Sequence, residues 1–148
     1  MRYFFITIIL LVSCKNNNDK IYNITPDHII SMPGIYYVKN YKISVKEFKN
    51  GSLVFAISDK KNKLYFQQSI LESFNKLSLW GLYVDENDNL WFFNSDYNKT
   101  DVWIRNDDSS TGYEKKNFCK EQLALPARFE FYLLESTEKV CVDFKNNP

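Results

Sequence analysis

The chain has 148 residues, with 19 basic and 18 acidic side chains and a formal net charge of +1 at pH 7. With that balance and no basic run, it lacks the electrostatic footprint of a nucleic-acid binder. Aromatic residues make up 17% of the chain, while Gly and Pro number only four each, which excludes a disordered chain and points to a packed, strand-rich domain. The length suits one domain with a substantial core.

Arg2 opens the chain with a positive charge, and residues 3–12 are apolar. That run of about ten residues matches the apolar region of an export signal. A spanning helix needs about 20, so the run is too short to cross a bilayer permanently. The small residue Ser13 then precedes Cys14. At the end of such a signal, Leu11-Val12-Ser13-Cys14 resembles the lipobox of bacterial lipoproteins. The resemblance covers only the start of the chain. It implies that the Cys14 thiol receives a diacylglyceryl group, that cleavage falls just before Cys14, and that its new amine takes a fatty acid such as palmitate. One acyl chain holds a protein only marginally, at about 0.8 kcal/mol per CH₂, so two or three make the anchor stable. Lys15 stands where an Asp would hold a Gram-negative lipoprotein at the inner membrane. By the same resemblance, the anchor belongs in the outer membrane, facing the periplasm. The alternative is an ordinary secretory signal with an incidental Cys.

On this reading residues 1–13 are a signal peptide, residues 14–20 a lipidated flexible tether, and residues 21–148 a single β-rich domain. Cleavage removes Arg2 and leaves a formally neutral chain, so membrane association comes from the lipid and not from a polybasic patch. With Cys14 taken by lipid, Cys119 and Cys141 form an even pair. In an oxidising envelope compartment such a pair is expected to be a disulfide, with two unrelated buried thiols as the alternative. Closing that loop contributes roughly 3 kcal/mol by chain entropy.

Pro26 and Pro33 break up an entry arm. Gly34 opens a strand over 35–39. Tyr41, Ile43 and Val45 then alternate with Lys42, Ser44 and Lys46, as in a strand with one buried face. Asn50-Gly51 predicts a hairpin turn with both positions at positive φ. The partner strand, 53–58, puts Leu53, Phe55 and Ile57 on one face. A strand over 63–68 returns with Leu64 and Phe66 together. Ser69 and Glu72 fit a capping box, and Ile70, Leu71, Phe74 and Leu77 fall on one helical stripe, so the spacing predicts a helix over 70–77. Residues 79–84 and 90–93 are apolar on both faces around the polar turn 85–89. They read either as central strands covered on both sides or as an aromatic face that meets a partner. Another strand over 101–106 leads into a loop over 106–112.

The segment 113–125 is ambiguous, with a short helix around 116–122 as one reading. Phe129, Phe131 and Leu133 alternate in 128–134, and Val140, Val142 and Phe144 alternate in 140–144, which predicts a closing hairpin. A helix starting at Pro126 is the competing reading. Together these elements predict a mainly β, α+β fold. It would be an antiparallel meander or sandwich, or a partly open barrel, of about eight strands with one or two short helices.

Candidate chemistry is sparse. His28 is the sole histidine, and no Gly-x-Ser-x-Gly elbow accompanies any serine. Asp85, Asn87, Asn89 and Asp96 occupy positions one, three, five and twelve of an EF-hand-like loop. Leu90, however, replaces the Gly that such a loop needs, and a polar hairpin turn explains the same residues. The expectation is no catalytic set, no metal site and no cofactor. The chain then reads as a non-enzymatic, lipid-anchored protein that binds an envelope or secreted protein, with Trp80, Trp91, Phe93 and Trp103 as candidate interface anchors. Immunity lipoproteins that neutralise secreted antibacterial toxins share this size and location. Gly34-Ile35-Tyr36 followed by hairpins also resembles the opening of lipocalin-like barrels, which implies a small-ligand carrier. An envelope hydrolase is a third reading.

Overall fold

The computed structural model describes residues 19–109, 112–136 and 140–141. Leu11-Val12-Ser13-Cys14, most of the expected tether, and residues 142–144 of the expected last strand lie outside these residues. In chain order the elements are β1 (Ile21–Asn23), β2 (Ile29–Ile30), β3 (Gly34–Val38), β4 (Tyr41–Glu47), β5 (Ser52–Asp59), β6 (Leu64–Gln67), β7 (Phe74–Asn75), β8 (Trp80–Val84), β9 (Leu90–Asn94), β10 (Lys99–Arg105), β11 (Tyr113–Asn117) and α1 (Ala127–Ser136). The fold is mainly β, a sandwich of two sheets with one short α-helix among the described residues, and the sheets do not close into a barrel.

The first sheet has the order β1-β3-β4-β5-β6, and β7 pairs with the other half of β5. Only the β1–β3 pairing is parallel. Its long strands follow the alternation in the sequence: Tyr41, Ile43 and Val45, and then Leu53, Phe55 and Ile57, are buried while their neighbours reach solvent. The β4–β5 turn differs in detail from the expected one. Gly51 takes φ +79° but Asn50 stays at negative φ, and the Gly51 amide donates to the Phe48 carbonyl at 2.9 Å. This is a one-glycine bulge turn rather than a turn with two positive-φ positions. On β6 a register shift pairs Ile57 with Phe66 and Ser58 with Leu64. The extra residue at this bulge breaks the alternation, so Tyr65 and Phe66 both pack on the core and Leu64 is exposed.

The second sheet has the order β11-β10-β9-β8-β2, and every pairing is antiparallel. Both its faces are covered. Trp80, Leu82, Val84, Leu90, Phe92 and Trp103 point toward the first sheet and join Phe55 and Phe74. Tyr83, Trp91, Phe93 and Val102 point outward and are covered by Phe129 and Leu133 of α1, with Phe118. Central burial therefore explains the doubly apolar strands, as expected for strands with two covered faces.

Three expected elements are corrected. Residues 70–77 do not form a helix: Ser69 does cap, accepting from the Leu71 amide, but only one 3-10 turn forms over Ile70–Glu72 before β7 returns to the sheet. Phe74 is buried there, while Ile70, Leu71 and Leu77 are exposed. The expected short helix within 116–122 is replaced by β11 and the turns that follow it. The closing hairpin is replaced by α1, whose first hydrogen bond runs from the Glu130 amide to the Pro126 carbonyl at 2.9 Å. Phe129 and Leu133 are buried and Phe131 is exposed, so the segment follows a period of 3.6 rather than two. Gly81 lets α1 lie close to β8: a Cβ there would sit 2.6 Å from the Tyr132 ring, whose hydroxyl donates to the Trp80 carbonyl at 2.6 Å.

Register sorts the connections into two ends. The chain enters at Lys20, whose carbonyl accepts from the Ile35 amide at 2.9 Å. This entry end also carries the β4–β5 turn, the β6–β8 connection and the β9–β10 turn. Hydrogen bonds from Lys76 N to Gly51 O at 3.0 Å, and from Asn75 N to Asp96 Oδ2 at 2.6 Å, tie those loops together. The far end carries the β3–β4, β5–β6 and β8–β9 turns, the β1–β2 crossover and the start of α1. There Lys39 Nζ donates to the Glu86 carbonyl and pairs with Asp88, each at 2.7 Å.

Candidate functional site

At the far end, the β8–β9 turn, the β1–β2 crossover and the start of α1 surround an open cleft of about 600 Å³. Tyr83 and Trp91 line it from the sheet, Asp27 from the crossover, Asp85 and Glu86 from the turn, and residues 124–128 from the helix side. The Asp85 carboxylate sets the turn. Its Oδ1 accepts from the amides of Asn87 and Asn89, and its Oδ2 accepts from Asn89 Nδ2 and from Trp91 Nε1, all at 2.9 Å. A carboxylate has about four lone-pair positions, so one side chain satisfies four donors. Asp88 supplies the turn's positive φ, and the Asp85 amide closes it on the Asn89 carbonyl. The polar-turn reading of 85–89 therefore holds. Asp96, the twelfth position of the EF-hand-like spacing, lies at the other end of β9, where it accepts from the Asn75 amide.

Asp27 adopts a positive φ of 68°, and its amide donates to the Val84 carbonyl. Its Oδ1 accepts from the Tyr83 hydroxyl. Burial, reinforced by that hydrogen bond, pushes the Tyr83 phenol up, so it remains a proton donor over the physiological range. Arg128, exposed in the first turn of α1, opposes that shift through its charge. Glu86 is also exposed at the mouth, beside the apolar wall of Leu125 and Pro126. Three carboxylates against one guanidinium leave the cleft acidic, with an apolar side. That combination accommodates a cationic side chain with an aliphatic stem.

The four aromatic residues expected to meet a partner are core residues, which corrects that assignment. Trp80 and Trp103, 3% and 4% exposed, lie between the sheets, and Trp91 and Phe93, 5% and 2% exposed, lie under α1. Of these only Trp91 reaches the cleft, where it serves as a donor to Asp85. Cys119 and Cys141 do pair as a disulfide, with Cα atoms 5.0 Å apart across a separation of 22 residues. The bond ties the turn after β11 to the chain beyond α1. His28 is exposed on the crossover, and Cys119 is held in the disulfide, so the structure assembles no Cys–His pair from them.

Asp27, Tyr83 and Arg128 were not singled out by sequence. Asp27 and Tyr83 are 56 residues apart and meet only through the β2–β8 pairing, which no local pattern announces. No protein-family model matches the chain, and neither the curated proteins nor the solved structures give a match to it.

Proposed function

We propose that this chain is a lipid-anchored cell-envelope protein that acts by binding another protein, on the outer membrane facing the periplasm, in the manner of an immunity or inhibitor protein against a secreted antibacterial toxin. The observation that supports the reading is that the chain enters the sandwich at the end opposite the acidic cleft. Lys20 leads into β1 at one end, so an anchor attached there would leave the cleft, with the Asp85 and Asp27–Tyr83 hydrogen bonds in its walls, facing away from it. A cleft whose walls are already held by Asp85 and by the Asp27–Tyr83 bond loses little conformational entropy when a partner docks, which favours protein recognition. Its charge suits a Lys or Arg presented by the partner. The space between the sheets is filled by Phe55, Phe92 and Trp103, whose rings lie within 6.5 Å of one another, so a small-ligand carrier would have to use a surface cleft rather than a calyx between the sheets.

The test is protection and complex formation. Cells making the full chain are challenged with secreted antibacterial toxins, beginning with any encoded adjacent to its gene, and each purified toxin is titrated with the full chain. The expected result is survival and a complex weakened roughly two- to fivefold by Glu86→Lys, the size of one rim charge pair. Complexes that are indifferent to Glu86→Lys and Arg128→Glu would move the interface elsewhere. Failure to bind any of those toxins would contradict the inhibitor reading.

A further inference from the structure

The two ends of the sandwich differ most in their exposed apolar side chains. Nine large hydrophobic residues are exposed among the described residues, and six of them, Ile21, Met32, Ile70, Leu71, Leu77 and Tyr97, lie at the entry end. Leu71 and Leu77 are 90% and 86% exposed. Leu64 is at the far end, and Phe131 and Leu134 are on α1. These loops are held in place. Lys76 N donates to Gly51 O, Asn75 N to Asp96 Oδ2, and Ser95 N to Leu79 O, so the protruding residues stand on a hydrogen-bonded rim. Lys49 lines a surface depression with Ile70, Lys46 is exposed on the adjoining β4 with its Nζ 5.4 Å from the centre of the Phe48 ring, and the Glu47 and Glu72 carboxylates at this end are paired with Lys76 and Lys99.

We infer that this rim seats in the headgroup layer of an anionic phospholipid bilayer. The inference rests on the proposed lipid at Cys14, and the position of the tether selects the occupant. Seven residues, from Cys14 through Lys20, separate the lipid from β1 and span at most about 25 Å when fully extended. They join the domain at the very end that carries the apolar rim. The rim therefore faces the membrane whenever the lipid is inserted, at a high effective concentration set by the short tether. Apolar side chains that protrude among lysines fit the boundary between acyl chains and anionic headgroups: the apolar tips enter, and the ammonium groups stay at the phosphates. Seated this way, the domain directs its acidic far-end cleft away from the bilayer.

The test uses the full, processed chain on vesicles of phosphatidylethanolamine and phosphatidylglycerol that carry brominated acyl chains. Tryptophan is introduced at two exposed positions, Leu71→Trp on the rim and Leu64→Trp at the far end, and intact mass reports the modification of Cys14. The expected result is a diacylated Cys14, together with quenching of Leu71→Trp roughly threefold or more above that of Leu64→Trp, as for a side chain within 5–10 Å of the acyl boundary. Lys46→Glu with Lys49→Glu is expected to reduce that difference. A diacylated, vesicle-bound chain in which both variants are equally unquenched overturns the seating while leaving the anchor intact. An unmodified Cys14 overturns the anchor and the seating with it. A Leu71→Trp emission shift that follows protein concentration without vesicles identifies a second copy of the chain as the occupant and overturns the lipid assignment.

Discussion

The two sheets use their outer faces differently. In the first sheet, Lys42, Ser44 and Lys46 alternate with buried residues and leave a solvated face. In the second, all five residues of β8 and all five of β9 are buried, because α1 and its disulfide cover the side that does not meet the first sheet. The difference teaches where binding can occur. One outer face is solvated and the other is covered, and the two ends of the sandwich have opposite character. One is an apolar rim beside the entry of the chain at Lys20, the other an acidic cleft fixed by hydrogen bonds.

If the outer face of the second sheet is core, Phe129 in α1 should matter as much as Phe55 between the sheets. Each is at most 1% exposed. Phe129→Ala and Phe55→Ala are each expected to cost about 3–5 kcal/mol in denaturant unfolding, while Phe131→Ala, on the exposed side of the same helix, stays within about 0.5 kcal/mol. A cheap Phe129→Ala would mean that α1 is a loose cover and that the aromatic face is open after all.

The next largest effect concerns what holds that cover. Replacing Cys119 and Cys141 by Ser is expected to remove roughly 3 kcal/mol, measured by the shift in urea midpoint. Thiol labelling of the native chain without reductant, which should find neither residue reactive, checks the bond itself. An unshifted midpoint would mean that α1 stays docked by packing alone.

A further effect appears only at high pH and touches both layers. Burial, with the neighbouring Tyr22, pushes the Tyr36 phenol of the first sheet up to about 12, and burial also raises Tyr83 and Tyr132 of the second layer. A folded-state pKa above the unfolded value leaves stability intact below pH 10. Stability then declines as pH rises toward the folded value, because only the unfolded state gives up the proton. Each such phenol contributes a slope of about 1.4 kcal/mol per pH unit in that window. Urea midpoints between pH 9 and 12 measure it, and Tyr36→Phe should flatten the curve. A flat wild-type curve would show that these hydroxyls reach water.

How far the sequence could be read depended on how a residue's period competes with its surroundings. Tyr41, Ile43 and Val45 on a strand with one wet face declare themselves. At the C-terminal segment, Phe129 and Leu133 are four apart, a spacing that suits both a strand and a helix, and only the exposure of Phe131 decides between them. Ser69 does cap a turn through the Leu71 amide, yet the helix read from its capping box assumed that Ile70, Leu71 and Leu77 were apolar because they were buried. They are apolar and exposed, which is the clue to the rim. β1, β2 and β7 are two or three residues long, too short to show any alternation. Of the cleft, the Asp85 turn was visible as a run of Asp and Asn, whereas the Asp27–Tyr83 contact arises from tertiary pairing alone.

The most direct test of the layered core, and with it of function at the ends rather than on the aromatic strands, is acrylamide quenching of the native tryptophans in the full chain. Trp80, Trp91 and Trp103 are each at most 5% exposed, so the expected result is blue-shifted emission, with quenching well below that of free indole until the protein unfolds. Quenching of the native chain at the level of exposed indole would contradict the account and return the aromatic strands to the surface.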